Sequence, residues 1–99
     1  MPSTKKIVII IPAFNEEVSI ASMVILSKMF SDEVLVIDDA SHDSTGEIAE
    51  KAGARVIRHQ KNTGKGGALK TGFETAIKEV ADIIVTIDAD GQHDPRELR

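Results

Sequence analysis

Hydrophobic and polar positions fall in alternating blocks along this chain, and the period changes from block to block. Lys6 to Ile11 is a continuous β-branched run, the pattern of a strand covered on both faces. From Asn15 to Phe30 the spacing becomes helical: Ile20, Met23, Val24, Ser27 and Phe30 form one stripe, with Ser27 a small gap in it. Asn15 is placed to cap this helix, and Glu16 and Glu17 fall in its first turn, where acidic groups suit the dipole. Glu33 to Ile37 predicts a second strand, ending in Asp38-Asp39. Ser44-Thr45-Gly46-Glu47 has capping-box form, and Gly53 stands where the helix behind it would stop. Arg55 to His59 predicts a short third strand. Gly64-Lys65-Gly66-Gly67 opens a helix with the apolar face Leu69, Phe73, Ala76, Ile77 and Val80. Asp82 to Ile87 predicts a fourth buried strand, ending in Asp88. Asp94-Pro95-Arg96-Glu97 carries the residues of a further helix start.

The order β-α-β-α-β-α-β implies a parallel sheet with right-handed crossovers. The expected class is therefore α/β: a Rossmann-like three-layer sandwich around a mainly parallel four-stranded sheet. Residues 1–99 make one domain at most, with no repeat, linker or low-complexity segment. A capped helix start with almost no helix behind it predicts that the chain is a fragment. Its unfinished helix and strand edges predict self-association as a dimer or larger assembly.

Composition narrows the partners. With 41% hydrophobic and 28% charged residues, the chain has the balance of a soluble globular domain. A net charge of −4 argues against a general nucleic-acid or membrane-surface binder, but leaves room for a metal-filled site that takes an anion. There is no cysteine, which excludes disulfides and thiolate metal sites and fits a reducing compartment. Lys5-Lys6 before the Ile7–Ile11 run loosely mimics a signal peptide, but the run stops at Pro12, too short for a signal core or a membrane span. The expected location is cytoplasmic, or the cytoplasmic face of a membrane for a longer parent protein.

In open α/β sheets, ligands bind at the carboxyl ends of the strands. Each predicted strand here ends in an unusual polar tail. Asp88-Ala89-Asp90-Gly91-Gln92 is the sharpest: two carboxylates one residue apart can point at one hard cation, and carboxylate and amide oxygens suit Mg²⁺, Mn²⁺ or Ca²⁺. Such a cation would neutralise charge developing on a diphosphate leaving group. Two solvated turn acids give the same letters. An EF-hand loop from Asp88 would need glycine and glutamate where His93 and Arg99 stand, and a phosphatase-type D-x-D-x-T would need threonine at Gln92. For Asp38 the simpler reading is a capping turn with Ser41 and Asp43, whereas Asp39 is a candidate acceptor for a nucleobase N–H. The Gly64–Gly67 loop is neither a Walker A motif nor G-x-G-x-x-G. Its glycines and helix N-terminus would still suit an anion, so Lys65 is either a phosphate or base contact or a solvated lysine in a flexible turn. Phe14 reads equally as a core residue. His93 reads as a metal ligand or a solvated loop residue, and His42 and His59 give no signal.

Taken together and in order, four segments resemble family 2 glycosyltransferases, on the dolichol-phosphate mannosyltransferase or polyprenyl-phosphate side of that family. They are Ile10–Glu17, Val36–Ser41 with Asp43-Ser44-Thr45, Asn62–Ala68 and Asp88–Pro95, which together span nearly the whole chain. The resemblance implies the GT-A fold, of which this chain would be the N-terminal half. It implies inverting transfer of a sugar from a GDP- or UDP-linked donor to an acceptor such as a polyprenyl phosphate. It implies that Pro12, Ala13, Phe14, Asn15 and Glu16 line the nucleotide pocket and that Asp39 contacts the base. Asp88 and Ala89 would lie beside the ribose and diphosphate, with Lys65 nearby. Asp88, Asp90 and Gln92 match the positions that hold Mg²⁺ or Mn²⁺. Members of the family continue well past this motif, and their later half supplies acceptor contacts and, in many, a catalytic base; the chain would end just after the motif and be inactive alone, with its catalytic residues unknown. Two other functions fit the residues: a non-catalytic nucleotide- or metal-binding module, and a nucleotidyltransferase or phosphohydrolase on a similar sheet.

Overall fold

The β-branched runs do form the centre of the molecule, because they are apolar on both faces. The computed structural model of the protein describes residues 5–89. Four strands, β1 (Ile7–Ala13), β2 (Glu33–Asp38), β3 (Arg55–Arg58) and β4 (Ile83–Thr86), form one parallel sheet in the order β3-β2-β1-β4. Along β1 the side chains alternate: Ile9, Ile11 and Ala13 enter one buried cluster, and Val8 and Ile10 the other. β2 does the same, with Val34 and Val36 on one side and Leu35 and Ile37 on the other. Helices α1 (Ile20–Lys28) and α2 (Thr45–Ala52) cover the first face, and α3 (Gly64–Lys78) covers the second. This is the expected three-layer α/β arrangement, and every strand pair is parallel. Among the described residues, no helix is long and apolar enough to cross a membrane.

β1 runs two residues beyond the β-branched run, through Pro12 and Ala13. Pairing with β4 covers only Ile7 to Ile10, so the missing N–H of Pro12 interrupts no β1–β4 ladder.

Several expectations about the helices need correction. α1 begins at Ile20, not near Asn15, and no acidic residue lies in its first turn. The reason is that the backbone N–H groups of residues 15–17 donate elsewhere. Asn15 N donates to Ser41 Oγ at 2.9 Å, Glu16 N to Thr45 Oγ1 at 2.8 Å and Glu17 N to Asp43 Oδ2 at 3.3 Å. Asn15 therefore stands in a left-handed conformation (φ 53°) and is not the cap. The residue before α1 is Ser19, whose hydroxyl makes no capping bond either.

The expected capping box of α2 also does not form. Ser44 makes no side-chain cap; Asp43 Oδ1 instead accepts the Thr45 N–H at 2.9 Å and the Thr45 hydroxyl. Gly53 ends α2 as expected, left-handed with φ 110°.

Of the predicted α3 face, Ala76 is buried and Leu69 packs partly buried against the core, but the rest of the buried face is Ala68 and Gly72 rather than the bulky residues. Phe73 is 39% exposed, Ile77 67% and Val80 77%. Only small side chains fit beneath this helix: a Cβ on Gly72 would lie 2.5 Å from Ile10 Cγ2. The fourth strand is not buried. It is a sheet edge among the described residues, with Ile83 and Val85 each 40% exposed.

Candidate functional site

Strand order reverses at β1: β2 and β3 lie to one side of it, and β4 returns to the other. Such a switch point leaves a crevice at the carboxyl ends of the strands. A pocket of about 280 Å³ lies there. Its wall takes Pro12, Ala13, Phe14 and Glu16 from the end of β1, Asp39 from the end of β2, and Asp88 and Ala89 from the end of β4. Asn62, Gly64, Lys65 and Ala68, from the turn into α3 and its first turns, complete it. Of the described residues predicted for the site, all but Asn15 are in this wall. Asp90 and Gln92, like His93, lie outside the described residues.

Asn15 has a different task. Its side-chain Oδ1 accepts the His42 N–H at 2.8 Å, while its own N–H donates to Ser41 Oγ. Glu17 Oε1 accepts the Ser44 N–H at 2.9 Å. With the Glu16–Thr45 and Glu17–Asp43 bonds, these contacts clasp the loop after β1 to the loop after β2, which fixes where Phe14 and Glu16 stand. Phe14 is not a core residue: it is partly exposed and meets the His42 ring edge-on at 5.9 Å. Asp38 plays the capping role expected of it, accepting the Ser41 N–H at 3.0 Å, with Arg58 at 3.8 Å from its other oxygen.

Asp39 is buried and heavily used. Oδ1 accepts from His59 Nδ1 at 2.8 Å, Thr63 N at 2.9 Å and Thr63 Oγ1 at 2.8 Å; Oδ2 accepts from Gly64 N at 2.8 Å. His59 Nε2 meets Thr71 Oγ1 of α3 at 2.8 Å. Asp39 thus ties the turn into α3, and α3 itself, to the end of β2. Gly64 takes φ 80° in that turn, a conformation costly for other residues. The next residue, Ala40, is left-handed too (φ 66°).

Sequence reading assigned no role to His59, and took Asn62 and Thr63 only as part of the Asn62–Ala68 segment. His59 offered only a position just past a short strand, and its partners lie 20 and 12 residues away. It also missed Ser19, whose hydroxyl donates to the Ala89 carbonyl at 2.6 Å and holds the tail of β4 against the start of α1.

Burial works against ionisation of Asp39, but hydrogen bonds from His59, Thr63 and Gly64 outweigh it and hold the carboxyl below its usual range. Asp43 is also held low: burial opposes ionisation, and bonds from Thr45 and Glu17 overcome it. Folded values below the unfolded value of about 3.9 give stability that is complete above that pH and is lost as pH falls through the folded values. Urea midpoints should therefore be level above about pH 5 and drop below about pH 4. Asp39→Asn should flatten that drop; a midpoint that rises on acidification would contradict the assignment.

Asp88 forms an ion pair with Lys65 across the pocket. The Asp88 carboxylate is the kind of hard oxygen donor that suits a divalent ion. Among the described residues no cluster of three His, Cys, Asp or Glu side chains forms a complete metal cage. A cation here would take Asp88 as one ligand and need others beyond the described residues.

Residues 8–99 match Glycosyl transferase family 2. The chain belongs to that family. This family 2 chain is 37% identical over 112 residues to the UDP-N-acetylglucosamine–dolichyl-phosphate N-acetylglucosaminyltransferase of Methanococcus voltae, covering 95% of this chain and 45% of that protein. It is 34% identical over 100 residues to the undecaprenyl-phosphate mannosyltransferase of Micrococcus luteus, covering 94% of this chain and 41% of that one. Among solved structures it matches the glucosyl-3-phosphoglycerate synthase of Mycobacterium tuberculosis in complex with Mn²⁺, UDP-glucose and phosphoglyceric acid. That match has a TM-score of 0.69 at 32% identity, over 86% of this chain and 33% of that one. The family 2 chain thus spans less than half the length of these relatives. The α/β class, its GT-A type and the resemblance to polyprenyl-phosphate glycosyltransferases are all borne out.

Proposed function

We propose that this chain forms the nucleotide-diphosphate-sugar-binding part of an inverting glycosyltransferase that delivers the sugar to a polyprenyl phosphate. The observation that carries this reading is the pocket at the switch point, where Pro12, Phe14, Glu16, Asp39, Lys65 and Asp88 converge from three strand ends and α3. Its apolar lining from Pro12, Ala13, Phe14, Ala68 and Ala89 suits a base and ribose, and the Lys65 ammonium with the Asp88 carboxylate suits a metal–diphosphate pair. Asp39 contacts the base in this reading by exchanging one of its shared bonds to Thr63 for a base N–H.

Asp88 holds Mg²⁺ or Mn²⁺ together with Asp90 and Gln92. The cation supplies charge neutralisation at the diphosphate as it departs. The M. tuberculosis synthase, which holds Mn²⁺ with UDP-glucose, supports that choice. A phosphate oxygen of the lipid acceptor is already anionic and has little need of a general base. The acceptor-binding part corresponds to the stretch of the relatives that this chain does not match. Work on a lipid phosphate would place the enzyme at the cytoplasmic face of a membrane.

The direct test gives the protein, at its full natural length, GDP- and UDP-linked sugars with Mn²⁺ and a short polyprenyl phosphate. A sugar–phosphate–lipid of inverted anomeric configuration, seen by mass spectrometry and NMR, is the expected product. Release of phosphate or pyrophosphate from the nucleotide with no lipid product would overturn the reading in favour of a hydrolase or nucleotidyltransferase.

A further inference from the structure

The ion pair at the pocket mouth has a consequence for how the site fills. Lys65 is the second residue of α3, and its backbone is held in place because Asp39 accepts the N–H groups of Thr63 and Gly64 just before it. Gly64 and Gly66 on either side leave open space, since a Cβ at either would meet nothing within 4 Å. The Lys65 side chain itself is mostly exposed, so solvent rather than packed neighbours surrounds much of its stem while its base stays fixed. In this structure its ammonium contacts Asp88 Oδ1; the side chains are 60% and 24% exposed, respectively.

We propose that Lys65 is a tethered stand-in for the divalent cation: it neutralises Asp88 until the metal arrives, and then moves to the donor's diphosphate. This inference rests on the donor-site reading above and adds an order of events to it. A cation entering at Asp88 must displace the ammonium, and Lys65 then gives up that partner. When the diphosphate is present, the displaced ammonium gains one in the same pocket. Metal and nucleotide therefore favour each other's binding, and the coupling is reciprocal. The exposed pair is weak enough to open readily. The arrangement also makes the pocket hold a bare metal ion less tightly than one accompanied by its substrate.

The test compares the protein with its Lys65→Met and Lys65→Arg variants, each checked for folding by circular dichroism. Mn²⁺ binding is read from the free-ion electron paramagnetic resonance signal, first with Mn²⁺ alone and then with UDP or GDP. Lys65→Met should bind Mn²⁺ alone about fivefold tighter, which is ~1 kcal/mol and the scale of one exposed ion pair. The same variant should lose most of the tightening that nucleotide confers, while Lys65→Arg should behave as the unaltered protein does. If Lys65→Met does not raise the affinity for Mn²⁺ alone, binding undetectable in both proteins included, the proposal is wrong. It is equally wrong if Lys65→Arg tightens Mn²⁺ as much as Lys65→Met does. A different failure marks the donor-site reading itself: folded protein and variants that bind no Mn²⁺ even with either nucleotide present.

Discussion

Asp39→Ala should lower the unfolding free energy by about 3–5 kcal/mol, the largest effect expected of any single polar substitution here. Asp39 is buried at 3% exposure and accepts from His59, Thr63 and Gly64. Removing the carboxylate takes the acceptor from the Thr63 N–H, leaves the Gly64 N–H only Asn62 Oδ1 at 3.0 Å, and leaves His59 Nδ1 only the Thr63 hydroxyl at 3.2 Å. A buried donor left unmade costs about 1–3 kcal/mol, and bonds to a charged acceptor sit at the upper end. The sum is not reached, because the pocket side admits water to some of these groups. A domain of this size has only about 5–15 kcal/mol of stability, so the variant would be close to unfolding at room temperature. Asp39→Asn keeps one good acceptor oxygen and should cost less. Chemical denaturation of both variants checks the order; a loss below about 1 kcal/mol for Asp39→Ala would show that the turn into α3 is held by something else.

Gly72→Ala should destabilise the protein by about 1–3 kcal/mol, although alanine is ordinarily the better helix former by about 1 kcal/mol. The two effects oppose each other, and geometry decides which wins. The new Cβ would lie 2.5 Å from Ile10 Cγ2 and 3.1 Å from Ile10 Cδ1. Ile10 is fully buried on β1, which is paired on both sides at that position, so neither it nor its strand has room to yield. α3 would have to lift from the sheet and lose the contacts of Ala68 and Ala76. Ile10→Ala alone should cost about 2–5 kcal/mol through the cavity it leaves. Combined with Gly72→Ala it should cost less than the sum, by about 1 kcal/mol or more, because the new methyl fills part of that cavity. A Gly72→Ala protein more stable than the parent would mean that α3 stands further from β1 than described.

These two residues also mark where the sequence was readable and where it was not. The strands were legible because two-sided burial demands continuous apolar runs rich in β-branched residues, and Ile7–Ile11 and Val34–Ile37 satisfy that demand locally. The orientation of α3 was not, because its large apolar residues cover more of the helix than the sheet can bury. The deciding signal was the small-residue series Ala68, Gly72 and Ala76, four apart, of which the predicted face held only Ala76. The start of α1 was misplaced for another reason. Asn15, Glu16 and Glu17 look like a cap and first turn, but their hydrogen bonds go to Ser41, Asp43 and Thr45, 26 to 29 residues away. Local pattern cannot show a bond of that range.

The site followed the same division. Strand-end position and the family resemblance together pointed to Pro12, Glu16, Asp39 and Asp88, which line one pocket with Lys65 of α3. Asn15 matched the same motif yet serves the loop clasp, and His59, which supports Asp39, carried no local signal.

The most direct measurement for the central claim is calorimetric titration of the protein with UDP and with GDP, each with and without Mn²⁺, alongside Asp88→Ala. One nucleotide should bind at a single site only when Mn²⁺ is present, and Asp88→Ala should abolish that metal-dependent binding while remaining folded. Folded protein that binds neither nucleotide, or binds one equally well without metal and without Asp88, would contradict a metal-assisted donor site at this pocket.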